Sequence, residues 1–163
     1  MTIGTDLAAP VTLPLPVMPH NYAANFVHCV FSTKDRRDAI PPELQARLWA
    51  YLGGIARRLE LDLLAVGGTA NHVHLLIELP PTMRLAEAIQ KLKANSSRWL
   101  GGQGLAFEWQ QGYGAFSVSP SLLETVKAYI RSQAKHHEKR NFEEEFLAFL
   151  RKSGLREDAK LLA

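Results

Sequence analysis

The chain has 163 residues, 47% of them hydrophobic, which suits one domain with a buried core of ordinary size. Its formal charge of +3 and pI of about 9.1 are mildly basic, permitting a polyanionic partner without requiring one. A single cysteine, Cys29, excludes an internal disulfide and a cysteine-rich zinc site, and its apolar neighbours in "FVHCVF" make it a small buried hydrophobe rather than a nucleophile.

In chain order, residues 1 to 20 combine apolar residues with prolines but lack a positively charged start, so they read as a flexible leader rather than a signal peptide. No run approaches the length of a membrane span, and the expected location is the cytoplasm. "NFVHCVFS", residues 25 to 32, is β-rich and reads as a strand, followed by the polar turn "TKDRRDAIPP". Leu44, Leu48, Leu52, Ile55 and Leu59 recur at helical spacing, predicting a helix from 43 to about 60 despite Gly53 and Gly54. "LDLLAVGG" and "HVHLLIEL" read as a hairpin of two strands. Leu85, Ile89, Leu92 and Trp99 mark the apolar side of a second helix. A last strand falls within residues 107 to 119, where the glycines suggest a bulge or bend. The order βαββαβ predicts an α+β, ferredoxin-like sandwich whose two helices share one sheet face and leave the other open. Ser121 and Glu124 have the spacing of a capping box for a helix running to about Lys139, and a further helix is expected from Asn141 with Gly154 as its stop.

Strand alternation gives the stretch "HVHLLIEL" two faces: Val73, Leu75, Ile77 and Leu79 on one, His72, His74, Leu76 and Glu78 on the other. Two histidines at i and i+2 point the same way and can converge on one divalent ion, although two ligands alone make a weak site and a hydrogen-bonded pair satisfies the same pattern. Glu78 fits a solvated charge at the strand end. Tyr129 and Gln133 are four residues apart and would stack on one helix face. By spacing alone Tyr129, three after Val126 and seven after Leu122, reads first as a packing residue, and Gln133, His136 and His137 read as solvated polar groups.

The strand "NHVHLLIEL", the segment "FEWQQGYGAFSVSPS" and the helix "VKAYIRSQAKHH" followed by "FEEEF" resemble the single-tyrosine HUH transposases of bacterial insertion sequences and their REP-associated relatives. HUH denotes His, hydrophobe, His, here His72, Val73 and His74. The similarity extends over residues 25 to about 150 and includes "HCVFSTKDRR" and "AEAIQKLKANSSRWL"; the expected organisation is a Pro-rich leader at 1–20, which the resemblance does not cover, a transposase domain at 21–155 and a tail at 156–163. The resemblance implies that Tyr129 is the nucleophile and that His72, His74 and Gln133 hold Mg²⁺ or Mn²⁺. It implies cleavage and rejoining of hairpin-containing single-stranded DNA through a 5′-phosphotyrosine, with no need for ATP, and a homodimer in which Tyr129 serves its own or the neighbour's histidines. Candidate DNA contacts are the basic loop residues Lys34, Arg36 and Arg37 and the helix residues Lys91, Lys93, Ser97 and Arg98, each equally readable as a solvated surface group. Trp109 and Tyr113 fit either base stacking or core filling. His28 lies on the strand expected beside His72 and His74, with its face open. Asn71 stands where the family often has Asp.

Two other classes fit parts of the pattern. A ferredoxin-like sheet with an open face is also the architecture of RNA-recognition modules, but the open face here carries histidine and glutamate where stacking aromatics would be required. A two-histidine-motif phosphoesterase would need a second matching strand motif, and "KHH" lies in a predicted helix. An inactive or host-retained transposase copy has the same residues as an active one.

Overall fold

Proline starts the first helix and alternation builds the sheet. The computed structural model describes residues 22–133 and 142–155; the leader, the pair His136 and His137, Asn141 and the tail lie outside them. Strand β1 (Phe26–Ser32) is followed by helix α1 (Pro42–Arg58), strands β2 (Asp62–Gly68) and β3 (His72–Glu78), helix α2 (Leu85–Gly102) and strand β4 (Gly114–Ser117). Pro42 occupies the first turn of α1, where its fixed φ suits the helix and its missing N–H would lack a helical partner anyway. The four strands lie in the order β2-β3-β1-β4 with antiparallel pairing throughout, the ferredoxin-like arrangement.

Both β1 and β3 are buried on two faces. Cys29, Phe31, Val73, Leu75 and Ile77 point toward α1 and α2, where Leu48, Leu52, Ile55, Ile89, Leu92 and Leu100 complete the main core. Trp109 closes one end of that core: its ring meets Phe31 edge-on at 4.8 Å and its Nε1–H donates to Ser96 Oγ at 2.9 Å. Trp109 thus packs against the core while remaining partly exposed, and Tyr113 is 40% exposed.

The face that the βαββαβ unit leaves open receives the two helices that follow it. Helix α3 (Leu123–Arg131) packs Ile130 on Ala65 and Leu76, and helix α4 (Phe142–Lys152) packs Leu150 with Phe146 and Phe149 on Val30 and Phe116. Two glycines let these helices come close. A Cβ on Gly67 would sit 2.2 Å from the Ile130 carbonyl oxygen, and one on Gly114 would sit 2.6 Å from the Phe146 ring. The glycine read as a bulge or bend at 114 is therefore a close-approach position, whereas Gly112, with φ of +78°, is the bend.

The helix expected from Ser121 to about Lys139 starts later, at Leu123, and is interrupted at Ser132; Gln133 is helical again, and residues 134–139 lie outside the described residues. Pro120–Leu122 form a 3₁₀ turn, and the predicted capping box does not form: Ser121 Oγ bonds Ser119 Oγ at 3.0 Å while Glu124 pairs with Lys127 at 2.7 Å. Proline fixes the preceding turn before a serine cap can operate. At the other end Ser132 caps α3, its hydroxyl donating to the carbonyls of Ala128 at 2.9 Å and Tyr129 at 3.1 Å. This back-bonding competes with helix continuation and separates Tyr129 from Gln133 by a break. Gly154, with φ of +66°, stops α4 as expected: Leu155 N–H reaches the Leu150 carbonyl and Gly154 N–H the Arg151 carbonyl, a Schellman arrangement. Among the described residues no helix is long and apolar enough to cross a membrane.

Candidate active site

His72 and His74 lie beneath α3 and α4, and both are fully buried. Strand alternation puts them on that face, and neighbouring polar groups orient them. His72 Nδ1 is 2.7 Å from Asn71 Oδ1 and 3.0 Å from Thr69 Oγ1. With the Asn71 oxygen as acceptor, the proton of a neutral imidazole sits on Nδ1, and the Nε2 lone pair faces the space under the helices. An amide oxygen thus orients the His72 ring.

His28 takes the corresponding place behind His74. Its strand position is diagonal to His74 across the β1–β3 pair, with its Nε2 2.9 Å from His74 Nδ1. Burial, and then the adjacent His74, push the His28 imidazole down to about 3. It therefore stays neutral, and its Nε2 can accept the Nδ1–H of His74, leaving the Nε2 of His74 directed at the same space as that of His72.

Gln133 reaches this space in spite of the helix break, with its Oε1 3.4 Å from His72 Nε2. Its Nε2–H donates to Glu145 Oε1 at 3.3 Å, and Glu145 Oε2 lies 3.6 Å from His74 Nε2. Nitrogen and oxygen donors from β3, from Gln133 just past α3 and from α4 thus come together. Among the described residues, His72, His74 and Glu145 are also a group whose ligand atoms all lie within 4.8 Å of one another. The donor set fits a divalent cation: two imidazole nitrogens and an amide oxygen converge there. Burial pushes the Glu145 carboxyl up to about 7, a cost that an adjacent cation would offset.

Tyr129 is seated against the same cluster. Its ring meets His74 edge-on with centroids 5.8 Å apart and Phe149 of α4 edge-on at 5.7 Å. Tyr129, His72, His74 and Gln133 are therefore gathered within one chain, although the tyrosine and glutamine do not share one continuous helix.

The candidate DNA contacts divide into two groups. Lys34, Lys93 and Ser97 line a groove of about 740 Å³ that also includes Gln90, Trp109 and Tyr113. Within it Lys93 donates to the carbonyls of Gln110 at 2.6 Å and Gly112 at 2.7 Å, and Ser97 donates to that of Phe107 at 3.1 Å, so both brace the loop before β4. Lys34 pairs with Glu108, Arg37 with Asp35 at 2.6 Å and Lys91 with Glu87 at 2.6 Å. Arg98 is exposed on α2, and Arg36 lies beside Tyr113 and Phe142 in an adjoining pocket.

Sequence reasoning missed Glu145, although a signal was there. In "FEEEFLAFL" the apolar stripe of α4 runs through Phe142, Phe146, Phe149 and Leu150, and Glu145, three after Phe142 and four before Phe149, falls on that stripe. An acid on a buried stripe needs a partner. His28 had been left with either face open, and only the sheet register decides it.

Relatives agree with this architecture. A transposase for insertion sequence element IS200 from Salmonella typhimurium is 29% identical over 114 residues, covering 65% of this chain and 74% of the relative. A solved structure from Deinococcus radiodurans, assigned as a candidate transposase, superposes with a TM-score of 0.56 at 23% identity, covering 72% of this chain and 98% of that one. The REP-associated tyrosine transposase bound to a REP hairpin gives a TM-score of 0.57 at 14% identity, covering 76% of this chain and 74% of its own. The model of the family "Transposase IS200 like" matches residues 22–133, from the approach to β1 through Gln133. Since that stretch includes the whole sheet and takes up more than half of the chain, the protein belongs to the IS200-like transposase family.

Proposed function

We propose that this transposase cleaves and rejoins hairpin-bearing single-stranded DNA by transesterification, with Tyr129 as the nucleophile and His72, His74 and Gln133 as holders of Mg²⁺ or Mn²⁺. The observation that carries this reading is the seating of Tyr129 against His74, with His72 and Gln133 beside them in the same chain. In the forward step the Tyr129 oxygen bonds to a backbone phosphorus and the bond to the 3′ oxygen breaks. The phenol loses its proton, the departing oxygen gains one, and the products are a 5′-phosphotyrosine and a free 3′ hydroxyl. Attack by a later 3′ hydroxyl reverses the exchange and joins new strands; the phosphoester is conserved throughout, so no ATP is consumed.

A phenol has a pKa of roughly 10 and attacks slowly unless its proton is removed and the phosphorus is made more electrophilic. A bound divalent ion supplies Lewis acidity toward a phosphate oxygen and the leaving oxygen. The chain's own contribution is orientation. Asn71 and Thr69 fix the His72 ring, His28 fixes His74, and Phe149 holds the tyrosine ring.

Hairpin recognition is supported by the structural relative bound to a REP hairpin. In this reading Arg36, Arg37, Lys34, Lys91 and Arg98 contact phosphates, while Lys93 and Ser97 shape the groove wall beside Trp109 and Tyr113. One tyrosine per chain makes one cut at a time, and a homodimer would supply the two cuts that excision needs. The RNA-recognition alternative loses its platform, because α3 and α4 cover the sheet face that such modules leave free.

The test mixes purified protein with labelled single-stranded DNA from the regions flanking its own gene, with Mg²⁺ or Mn²⁺, for wild type and Tyr129→Phe. A metal-dependent, denaturant-resistant adduct is expected in wild type and none in the variant. Binding without an adduct under either metal would overturn the catalytic reading in favour of a binding module or an inactive copy.

A further inference from the structure

Glu145 lies beyond the stretch that matches the family model, which ends at residue 133. Its carboxylate nevertheless points at the histidine pair: Oε2 is 3.6 Å from His74 Nε2, and Oε1 accepts the amide N–H of Gln133 at 3.3 Å. The side chain is only 11% exposed, on a helix stripe otherwise made of Phe142, Phe146, Phe149 and Leu150. A carboxylate withdrawn from water costs free energy unless a positive charge is near. Facing it are the imidazole of His74 and the amide of Gln133.

We propose that Glu145 is a direct ligand of the divalent cation, an anionic donor that α4 adds to the neutral set of His72, His74 and Gln133. The inference rests on the metal-site reading above and extends it to a residue that this reading does not use. The ligand atoms of His72, His74 and Glu145 lie within 4.8 Å of one another. Donors on opposite sides of one ion stand about 4.2 Å apart, given bond lengths of about 2.1 Å, so side-chain adjustments of about half an ångström would gather them. Two consequences follow from the charge. The carboxylate raises affinity for a divalent ion, and because it belongs to α4, occupation of the site stabilises the docking of that helix over the sheet.

The test is Mn²⁺ titration of the full chain by calorimetry, in wild type, His72→Ala, Glu145→Gln and Glu143→Gln. The metal-free melting temperature of each serves as the check on folding. Glu145→Gln should weaken Mn²⁺ by about tenfold or more, a ligand substitution costing at least what loss of a supporting partner costs. Glu143→Gln, on the exposed side of α4, should bind as wild type does, and His72→Ala should lose saturable binding. Wild-type affinity in Glu145→Gln with binding lost in His72→Ala overturns the Glu145 assignment and leaves the histidine site standing. Wild-type affinity in His72→Ala overturns the metal site itself. Should Glu145→Gln fail to fold, Glu145→Asp is compared with Glu145→Asn, which differs from it only in the carboxylate. A tenfold gap between them supports the ligand role, and equal affinities overturn it.

Discussion

Strand β3 presents two chemically different faces from seven consecutive residues. Toward α1 and α2 it shows Val73, Leu75 and Ile77; toward α3 and α4 it shows His72, His74 and Leu76, and all six are fully buried. The first face packs on aliphatic side chains of two long helices, where the hydrophobic effect is the main stabilising term. The second packs on aromatic rings and on a cluster of histidine, glutamine and glutamate that must be hydrogen-bonded or paired to be tolerated. Equal burial therefore does not mean equal work. One face holds the sheet together, and the other places polar groups where water is excluded.

Adjacent leucines on opposite faces give the strongest way to break this comparison. Leu75→Ala leaves a cavity in the main core and should cost about 2–5 kcal/mol, read as a lower urea midpoint. Leu76→Ala empties the contact with Ala65 and Ile130 beneath α3 and should fall at the lower end of that range, because a short helix can settle into the space. Its signature is a loss of DNA adduct out of proportion to the loss of stability. If the two variants lose stability and adduct in the same ratio, the division of labour between the faces is wrong.

Gly67→Ala is the next largest change. The new Cβ would meet the backbone oxygen of Ile130, an atom that cannot rotate away, so α3 must move. The expected cost is about 1–3 kcal/mol. Displacement of the neighbouring Tyr129 should lower the rate of adduct formation while Mn²⁺ still binds at the histidines. A wild-type adduct rate would show that α3 has room that the close packing denies.

The smallest effect concerns Cys29, on the dry face. Burial pushes its thiol up to about 12 from an ordinary value of 9.0. The folded state thus binds the proton more tightly than the unfolded one. Stability from this group is complete below pH 9.0 and is lost as pH rises toward about 12. At pH 8 a thiol-alkylating reagent should leave the native protein unlabelled and modify it stoichiometrically in denaturant, as mass spectrometry would show. Rapid labelling of the native protein would mean that the main core opens readily.

Much of this was readable from local pattern. The order of strands and helices, the side of β3 on which each histidine points, and the stop at Gly154 all depend on neighbours a few residues away, through side-chain alternation, helical spacing and glycine's access to positive φ. The expected capping box failed for an equally local reason, the turn that Pro120 imposes. The break at Ser132 was harder to read, because a serine hydroxyl can bond back to the helix or point to solvent, and sequence does not distinguish them.

The sequence by itself determined which residues share a face within each element, because that follows from the repeat of a strand or helix. Only the tertiary structure decided which faces meet. It set His28 behind His74, returned Gln133 to His72 past a helix break, and brought Glu145 of α4 onto a strand about 70 residues earlier, as their numbers give. Those meetings depend on sheet register, on the close approach that Gly67 and Gly114 allow, and on the burial of aromatic stripes from distant parts of the chain. Long-range packing of this kind leaves no periodic trace in the sequence.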